Sequence, residues 1–183
     1  ISRKQFAQAQ KYFQNAVQAN PKNYLAWLQL ARLATERSAD GNRVEKVSPE
    51  QRQAAIEILK QALSHEELKN ELLLRVELVR QQLQSPDATQ VDEANQEIVA
   101  LKSQFQTLPP ELGVPLQLEL AVLESTIDAA AGNFAKASQR LESVLTSSEV
   151  KAMQVGSGLL SSAWLALGSY YEQQGLGDKA SDC

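Results

Sequence analysis

Apolar residues recur at helical spacing along almost the whole of this 183-residue chain. Near the start, Phe6, Ala9, Phe13, Ala16 and Val17 follow one another mostly at steps of three or four, which places them on one face of a helix. The sequence contains no sustained alternation of apolar and polar residues bounded by hairpin turns. The chain is therefore predicted to be all-α, with its helices arranged in pairs.

Proline and glycine divide this pattern into eight predicted helices. The dipeptide Asn20-Pro21 ends the first, because proline disfavours helical backbone at the preceding residue and cannot donate the next hydrogen bond. The segment Ser48-Pro49-Glu50-Gln51 starts the third, with a capping serine, a first-turn proline and a glutamine three residues after the cap. Residues 38–48 are predicted to form an irregular loop. The predicted helices span about 3–19, 25–37, 49–64, 68–83, 89–107, 114–131, 134–147 and 158–174.

Charge and composition argue against several classes of function. Asp and Glu number 22 against 18 Lys and Arg, so the net charge is -4, and nucleic acid is not an expected partner. No apolar run approaches the roughly 18 residues that a membrane span needs, so direct membrane insertion is not expected either. The single histidine, His65, and the single cysteine, Cys183, leave few arrangements for catalysis or metal binding. No catalytic residue, cofactor or metal site is predicted.

Two motifs at opposite ends of the chain point to one kind of repeat. Residues 164–171 reproduce the pattern W-x2-L-G-x2-Y, and residues 9–21 reproduce the pattern A-x3-F…P. Trp27 then follows Pro21 at the distance at which the next repeat of this kind begins. The chain thus resembles a tetratricopeptide-repeat protein.

The resemblance implies a fold and a set of repeat boundaries. The fold would be a right-handed α-solenoid of antiparallel helix pairs, a superhelix in which 1–183 form a single repeat region. Small residues such as Ala31 and Gly168 would let helix backbones approach closely, and Trp27 and Trp164 would fill the core between successive helices. The incomplete repeats at both ends lead us to expect a fragment of a longer array. The implied boundaries are a half-repeat at 1–21, repeats at about 22–66, 67–110 and 111–150, and a partial repeat at 158–183.

The resemblance also implies a binding groove, because the first helices of such repeats line a concave surface that binds extended peptides. Arg32 and Arg75 would hold an acidic group of the partner bidentately, with Leu28, Leu74 and Leu165 as apolar anchors. The alternative is that both arginines are surface residues whose stems cover apolar side chains. The implied groove residues are Leu28, Gln29 and Arg32 in the first full repeat, Leu74, Arg75 and Leu78 in the next, and Leu165, Ala166 and Ser169 in the last.

The function that follows from the resemblance is that of a non-catalytic scaffold. It would bind a segment of a partner protein, or a peptide, in the concave groove. Two alternatives stay open at the level of sequence. One is a substrate-recruiting repeat region of a larger enzyme or envelope-assembly machine. The other is a self-association module that forms a homo-oligomer through its half-repeats.

Overall fold

The structure, a computed structural model, describes residues 3–35, 47–152 and 157–183. Every regular element within these ranges is a helix, which confirms the prediction of an all-α fold. Most of the predicted loop 38–48 lies outside the described residues. The helices are α1 (Arg3–Ala19), α2 (Tyr24–Thr35), α3 (Pro49–Leu63), α4 (Leu72–Leu83), α5 (Ala88–Phe105), α6 (Pro110–Ala130), α7 (Phe134–Leu145), α8 (Ser148–Ala152), α9 (Ser157–Gln173) and α10 (Gly177–Ser181).

The helices group into two compact units, residues 1–97 and residues 98–183, and the division falls within α5. In the first unit, α2 packs against α1, α3 and α4, and α3 also packs against α4. In the second unit, α7 packs against α6, α8 and α9, and α10 packs against α9. Several helices that follow one another in sequence therefore form packed pairs, namely α1/α2, α2/α3, α3/α4, α6/α7 and α9/α10. The repeat boundaries stay a prediction.

Trp27 lies in the hydrophobic core of the first unit. Only 4% of the residue is exposed, and its neighbours in the core include Ile56, Leu59 and Leu74. Its indole Nε1 donates a hydrogen bond to the carbonyl oxygen of Pro21 at 2.9 Å. This bond satisfies a buried polar group and ties the turn between α1 and α2 to the core. The prediction that Trp27 is a core residue is confirmed.

Trp164 was also predicted to fill the core, and for this residue the prediction needs correction. In α9, Ala163, Leu167 and Tyr171 are buried at steps of four residues and form the stripe that faces the core of the second unit. Trp164 lies one residue, or about 100° of helical rotation, from the start of this stripe. Its ring is therefore only partly buried at the edge of the core, next to Leu165, which is 76% exposed.

Helix starts follow the sequence signals at α3 but not at α6. Ser48 caps α3 as predicted: its Oγ accepts the Gln51 backbone N–H at 3.2 Å, while Gln51 Oε1 accepts the Ser48 N–H at 2.9 Å. Helix α6, expected from residue 114, begins at Pro110, because a proline suits the first helical position. The backbone at Gly113 passes close to the Phe105 carbonyl oxygen, and a Cβ there would lie only 3.1 Å from it. The glycine therefore leaves room for the helix to start this early.

Helix α4, in contrast, starts later than expected, at Leu72 instead of residue 68. Residues 64–70 form turns between α3 and α4, and Leu68 within them is 4% exposed. Leu68 therefore contributes to the core from a turn and not from a helix. An apolar residue at helical spacing can be buried without being helical, and periodicity alone does not separate the two cases.

Glycine allows close packing at the end of the chain. A Cβ on Gly168 of α9 would lie 3.3 Å from the Cβ of Cys183 and 3.5 Å from the carbonyl oxygen of Ala180. The segment that contains α10 therefore packs directly on the backbone of α9. The predicted role of Gly168, to let neighbouring backbones approach, is confirmed.

Candidate partner-binding surface

Helix α2 presents one face to solvent although α1, α3 and α4 pack around it. Leu25 is 51% exposed, the Arg32 side chain is 48% exposed, and Gln29 between them is partly exposed. These three residues follow at steps of four and three and therefore share a face. Leu28, which was expected to line a groove, is instead 3% exposed in the core. The apolar side chain on this face belongs to Leu25.

In helix α4 the expected leucines are again buried, and the exposed leucine is the residue before the first of them. Leu74 and Leu78, two expected groove residues, lie in the core at 0% and 9% exposure. The neighbouring leucine, Leu73, is 39% exposed, and Glu77 and Arg80 follow it at steps of four and three. The stripe of α4 that lies beside α2 is therefore made of Leu73, Glu77 and Arg80.

A buried carboxylate joins the two helices. Glu77 is 3% exposed, and its Oε2 accepts hydrogen bonds from Arg32 Nε at 3.3 Å and from Arg80 Nη1 at 2.9 Å. Its Oε1 accepts the side-chain amide of Gln81 at 2.8 Å. A carboxylate at this depth is stable only with such partners. We call the surface formed by Leu25, Gln29, Arg32, Leu73, Glu77 and Arg80 the α2/α4 face.

Interhelical contacts orient this face. Lys22 Nζ lies 2.6 Å from Glu67 Oε1, which places the start of α2 near the end of α3. Arg52 Nη1 donates to Gln84 Oε1 at 2.8 Å, which places the start of α3 near the end of α4. Helix α3 is therefore antiparallel to both, and α2 and α4 run in the same direction. The two exposed leucines consequently lie toward one end of the α2/α4 face and its two arginines toward the other.

Arg75 does not share this face with Arg32. Its side chain is 14% exposed and forms an ion pair with Glu97 of α5. The arginine that meets Arg32 is Arg80, through their common partner Glu77. Sequence reasoning missed Leu73, Glu77 and Arg80. The signal that could have identified them is their own spacing of four and three residues, one position away from the stripe that is buried.

The second unit holds the remaining expected groove residues. Leu165 and Ser169 are exposed four residues apart on α9, and Ala166 is partly exposed. They form a small surface of this unit.

A network of ion pairs in the second unit joins α5, α6 and α7. Lys102 Nζ contacts Glu124 Oε1 at 2.6 Å, and Arg140 Nη1 contacts Glu124 Oε2 at 3.0 Å. Arg140 also reaches Asp128 Oδ2 at 3.1 Å, and Lys136 Nζ reaches Asp128 Oδ1 at 2.7 Å. Burial opposes ionisation of Asp128, but the hydrogen bonds from Lys136 and Arg140 outweigh it and lower its pKa. These ion pairs connect helices and offer no reactive group.

The described residues were also searched for a metal site and for a membrane-spanning helix. Among them, no three His, Cys, Asp or Glu side chains lie together as a bound metal ion would require. None of the helices in the described ranges is both long enough and apolar enough to cross a bilayer.

Comparison with protein families finds a match at the start of the chain. The tetratricopeptide repeat family matches residues 1–37, a range that includes α1, the turn at Pro21 and α2 with its exposed stripe. Comparisons with curated proteins and with solved structures found no match. The first two helices of the chain are therefore similar to a tetratricopeptide repeat.

Proposed function

We propose that this protein binds a segment of a partner protein through the α2/α4 face, without covalent chemistry or a cofactor. Tetratricopeptide repeats generally mediate protein–protein interaction. One observation carries the finer proposal: Leu25 and Leu73 are exposed at one end of a face whose other end holds Arg32 and Arg80. A segment with apolar residues followed or preceded by an acidic group matches this distribution.

The leucines supply most of the expected affinity. Complete burial of an exposed leucine contributes about 1.5–3 kcal/mol, and Leu25 and Leu73 each have roughly half of that still to gain. An exposed ion pair contributes only about 0–1 kcal/mol. The apolar end of the face therefore determines how tightly a partner binds, and the arginine end determines which way it lies.

Arg32 has donors available for an acidic partner. A guanidinium group has five N–H donors, and Arg32 donates from Nε alone to Glu77 within the described part of the chain. The remaining donors suit a carboxylate, which arginine binds in a bidentate geometry. Because Glu77 already lies beside Arg32, the informative substitution is Arg32→Gln. A glutamate at that position would add repulsion against Glu77 and would test folding instead of binding.

A peptide-display experiment tests the proposal. The immobilised protein selects peptides from a random library, and calorimetry then measures their affinity for purified variants. The double variant Leu25→Ser with Leu73→Ser should bind at least tenfold more weakly. The matched control is Val99→Ser with Leu112→Ser, which replaces two exposed apolar residues of the second unit and should leave the affinity unchanged. The wild-type affinity should fall as salt rises, and Arg32→Gln should reduce this dependence.

Two outcomes would contradict the α2/α4 face as the binding surface. One is an unchanged affinity in a double variant whose circular dichroism shows that it is folded. The other is a mass by light scattering that rises with protein concentration and becomes constant in that variant, because the face would then serve self-association.

A further inference from the structure

A cleft lies on the first unit, away from the α2/α4 face. This cleft of about 410 Å³ opens between α1 and α3, and residues of α2 form its floor. Trp27 and Leu30 of the floor are buried in the core, and Ile58 of α3 lies beside them. Since the indole N–H of Trp27 is already bonded to Pro21, the floor is apolar. The cleft shares no lining residue with the α2/α4 face.

Glutamine side chains form the walls of the cleft. Gln10, Gln14 and Gln18 line the α1 side at steps of four residues, and Gln61 lines the α3 side. We call this recess the glutamine cleft. Among the described residues, none of these four side-chain amides has a hydrogen-bond partner, whereas those of Gln81, Gln82 and Gln84 do. Of the lining residues, His65 alone is titratable.

The spacing of the glutamine row on α1 is close to the spacing of alternate residues in an extended peptide. Residues four apart in a helix are about 6 Å apart along its axis, and alternate residues of an extended chain are about 6.6 Å apart. Each glutamine amide offers both a donor and an acceptor, as does each peptide unit. The row from Gln10 to Gln18 spans about 12 Å, which corresponds to about four extended residues.

We propose that the glutamine cleft binds an extended, uncharged segment of a partner polypeptide. The main chain of the segment hydrogen-bonds to Gln10, Gln14 and Gln18, and its alternate apolar side chains pack on Trp27 and Leu30. A charged side chain would lose hydration in the cleft without meeting an opposite charge, which is unfavourable. A helical segment would satisfy its own main-chain groups and leave the glutamine row without a matching partner. Extended backbone and neutral side chains are therefore the chemistry that the cleft recognises.

A defined peptide tests this site by nuclear magnetic resonance. The probe is the end-capped peptide Ser-Leu-Thr-Leu-Ser, titrated to millimolar concentration because so short a segment binds weakly. The side-chain amide signals of Gln10, Gln14 and Gln18 should shift and saturate. Methylation of the main-chain nitrogens of the probe should weaken binding at least tenfold, and so should replacement of both its leucines by aspartate.

Protein variants complete the test. Gln14→Glu adds a charge in the middle of the row and should weaken binding of the probe at least fivefold. Gln96→Glu, the same change at an exposed position of α5, is the matched control and should have no effect. The variant Leu25→Ser with Leu73→Ser should bind the probe as the wild type does, so that failure of the α2/α4 face and failure of the glutamine cleft are distinguishable.

Several results would overturn the proposal. They are an absence of shifts in the glutamine signals at millimolar probe, equal binding of the methylated probe, and shifts confined to the methyl groups of Leu25 and Leu73. A concentration-dependent mass that disappears in Gln14→Glu would also overturn it, because the occupant would then be a second copy of the chain.

Discussion

Glu77 and Asp128 place a buried carboxylate in each unit, and basic side chains from other helices bind both. No buried side-chain nitrogen or oxygen among the described residues is without a hydrogen-bond partner. Such groups are costly to leave unpaired. At the scale of residues, the charges in these two networks thus act as links between helices.

Asp128 should make the stability of the second unit depend on pH. Because its pKa in the folded protein lies below the unfolded value of about 3.9, its contribution is fully present above that value. The contribution is lost as the pH falls through the folded pKa. Asp128→Asn should therefore reduce the free energy of unfolding at pH 7, and its difference from the wild type should shrink below about pH 4. Urea unfolding at a series of pH values measures this.

The exposed aspartate Asp92 provides the control for this experiment. Asp92→Asn removes the same charge from an exposed position of α5 and should change the free energy of unfolding by less than about 0.5 kcal/mol. A difference between Asp128→Asn and the wild type that stays constant down to pH 2 would show that the ion pairs of Asp128 contribute nothing to stability.

The two tryptophans should differ in their contribution to stability. Trp27→Ala removes a fully packed side chain and should cost roughly 3–5 kcal/mol. Trp164→Ala removes a partly buried ring and should cost about 1–2 kcal/mol. Chemical denaturation followed by circular dichroism measures both, with the exposed Leu165→Ala as the control. Equal losses for the two tryptophans would show that Trp164 is as well packed as Trp27.

At the scale of elements, two helix ends share the same turn. Gly132 follows α6 with φ +79°, and Gly175 follows α9 with φ +74°. In each turn the next residue donates its N–H to the carbonyl five residues earlier, Asn133 to Asp128 at 2.8 Å and Leu176 to Tyr171 at 2.9 Å. Glycine adopts this left-handed backbone without steric cost. The same device therefore starts α7 and α10.

Gly132→Ala should destabilise the protein by about 1–2 kcal/mol, because an alanine at positive φ is strained even where space is available. Gly158→Ala is the matched control. It lies within α9, and the added Cβ meets nothing within 4 Å, so the higher helix propensity of alanine should leave stability unchanged or increase it. Thermal unfolding compares the two variants. A neutral Gly132→Ala would contradict the assigned turn.

At the scale of the whole molecule, an excess of acidic residues argues against binding to nucleic acid. The net charge is -4, and phosphate binding draws on Lys and Arg that no acidic neighbour neutralises. Of the basic side chains described, Arg32, Lys60, Arg75, Lys102, Lys136 and Arg140 are among those paired with carboxylates.

Fluorescence anisotropy with labelled double-stranded DNA at physiological salt should therefore detect no binding at micromolar protein. Lowering the salt should not restore it, because there is little counterion release to gain. Micromolar affinity that rises as salt is lowered would contradict this expectation and would indicate an unpaired basic surface.

Prediction from sequence succeeded where a helix depends on near neighbours in the chain. The capping box at Ser48 and the proline stop at Pro21 involve hydrogen bonds across a few residues, and both appear at the expected positions. The short helix α8 was not predicted, because five residues contain too little periodicity to be recognised.

The sequence by itself determined the all-α class, the approximate helix spans and the burial of Trp27, since each follows from local periodicity, turn chemistry and a repeat motif. Only the tertiary structure decided that Leu25 is exposed and Leu28 buried, and that Leu73 is exposed and Leu74 buried. Helices α1, α3 and α4 surround α2, so the direction left open to solvent depends on all three and selects Leu25 over Leu28. Likewise, the hydrogen bond between Arg32 and Glu77 joins residues 45 positions apart. Local sequence patterns extend over only a few residues and cannot predict such a contact.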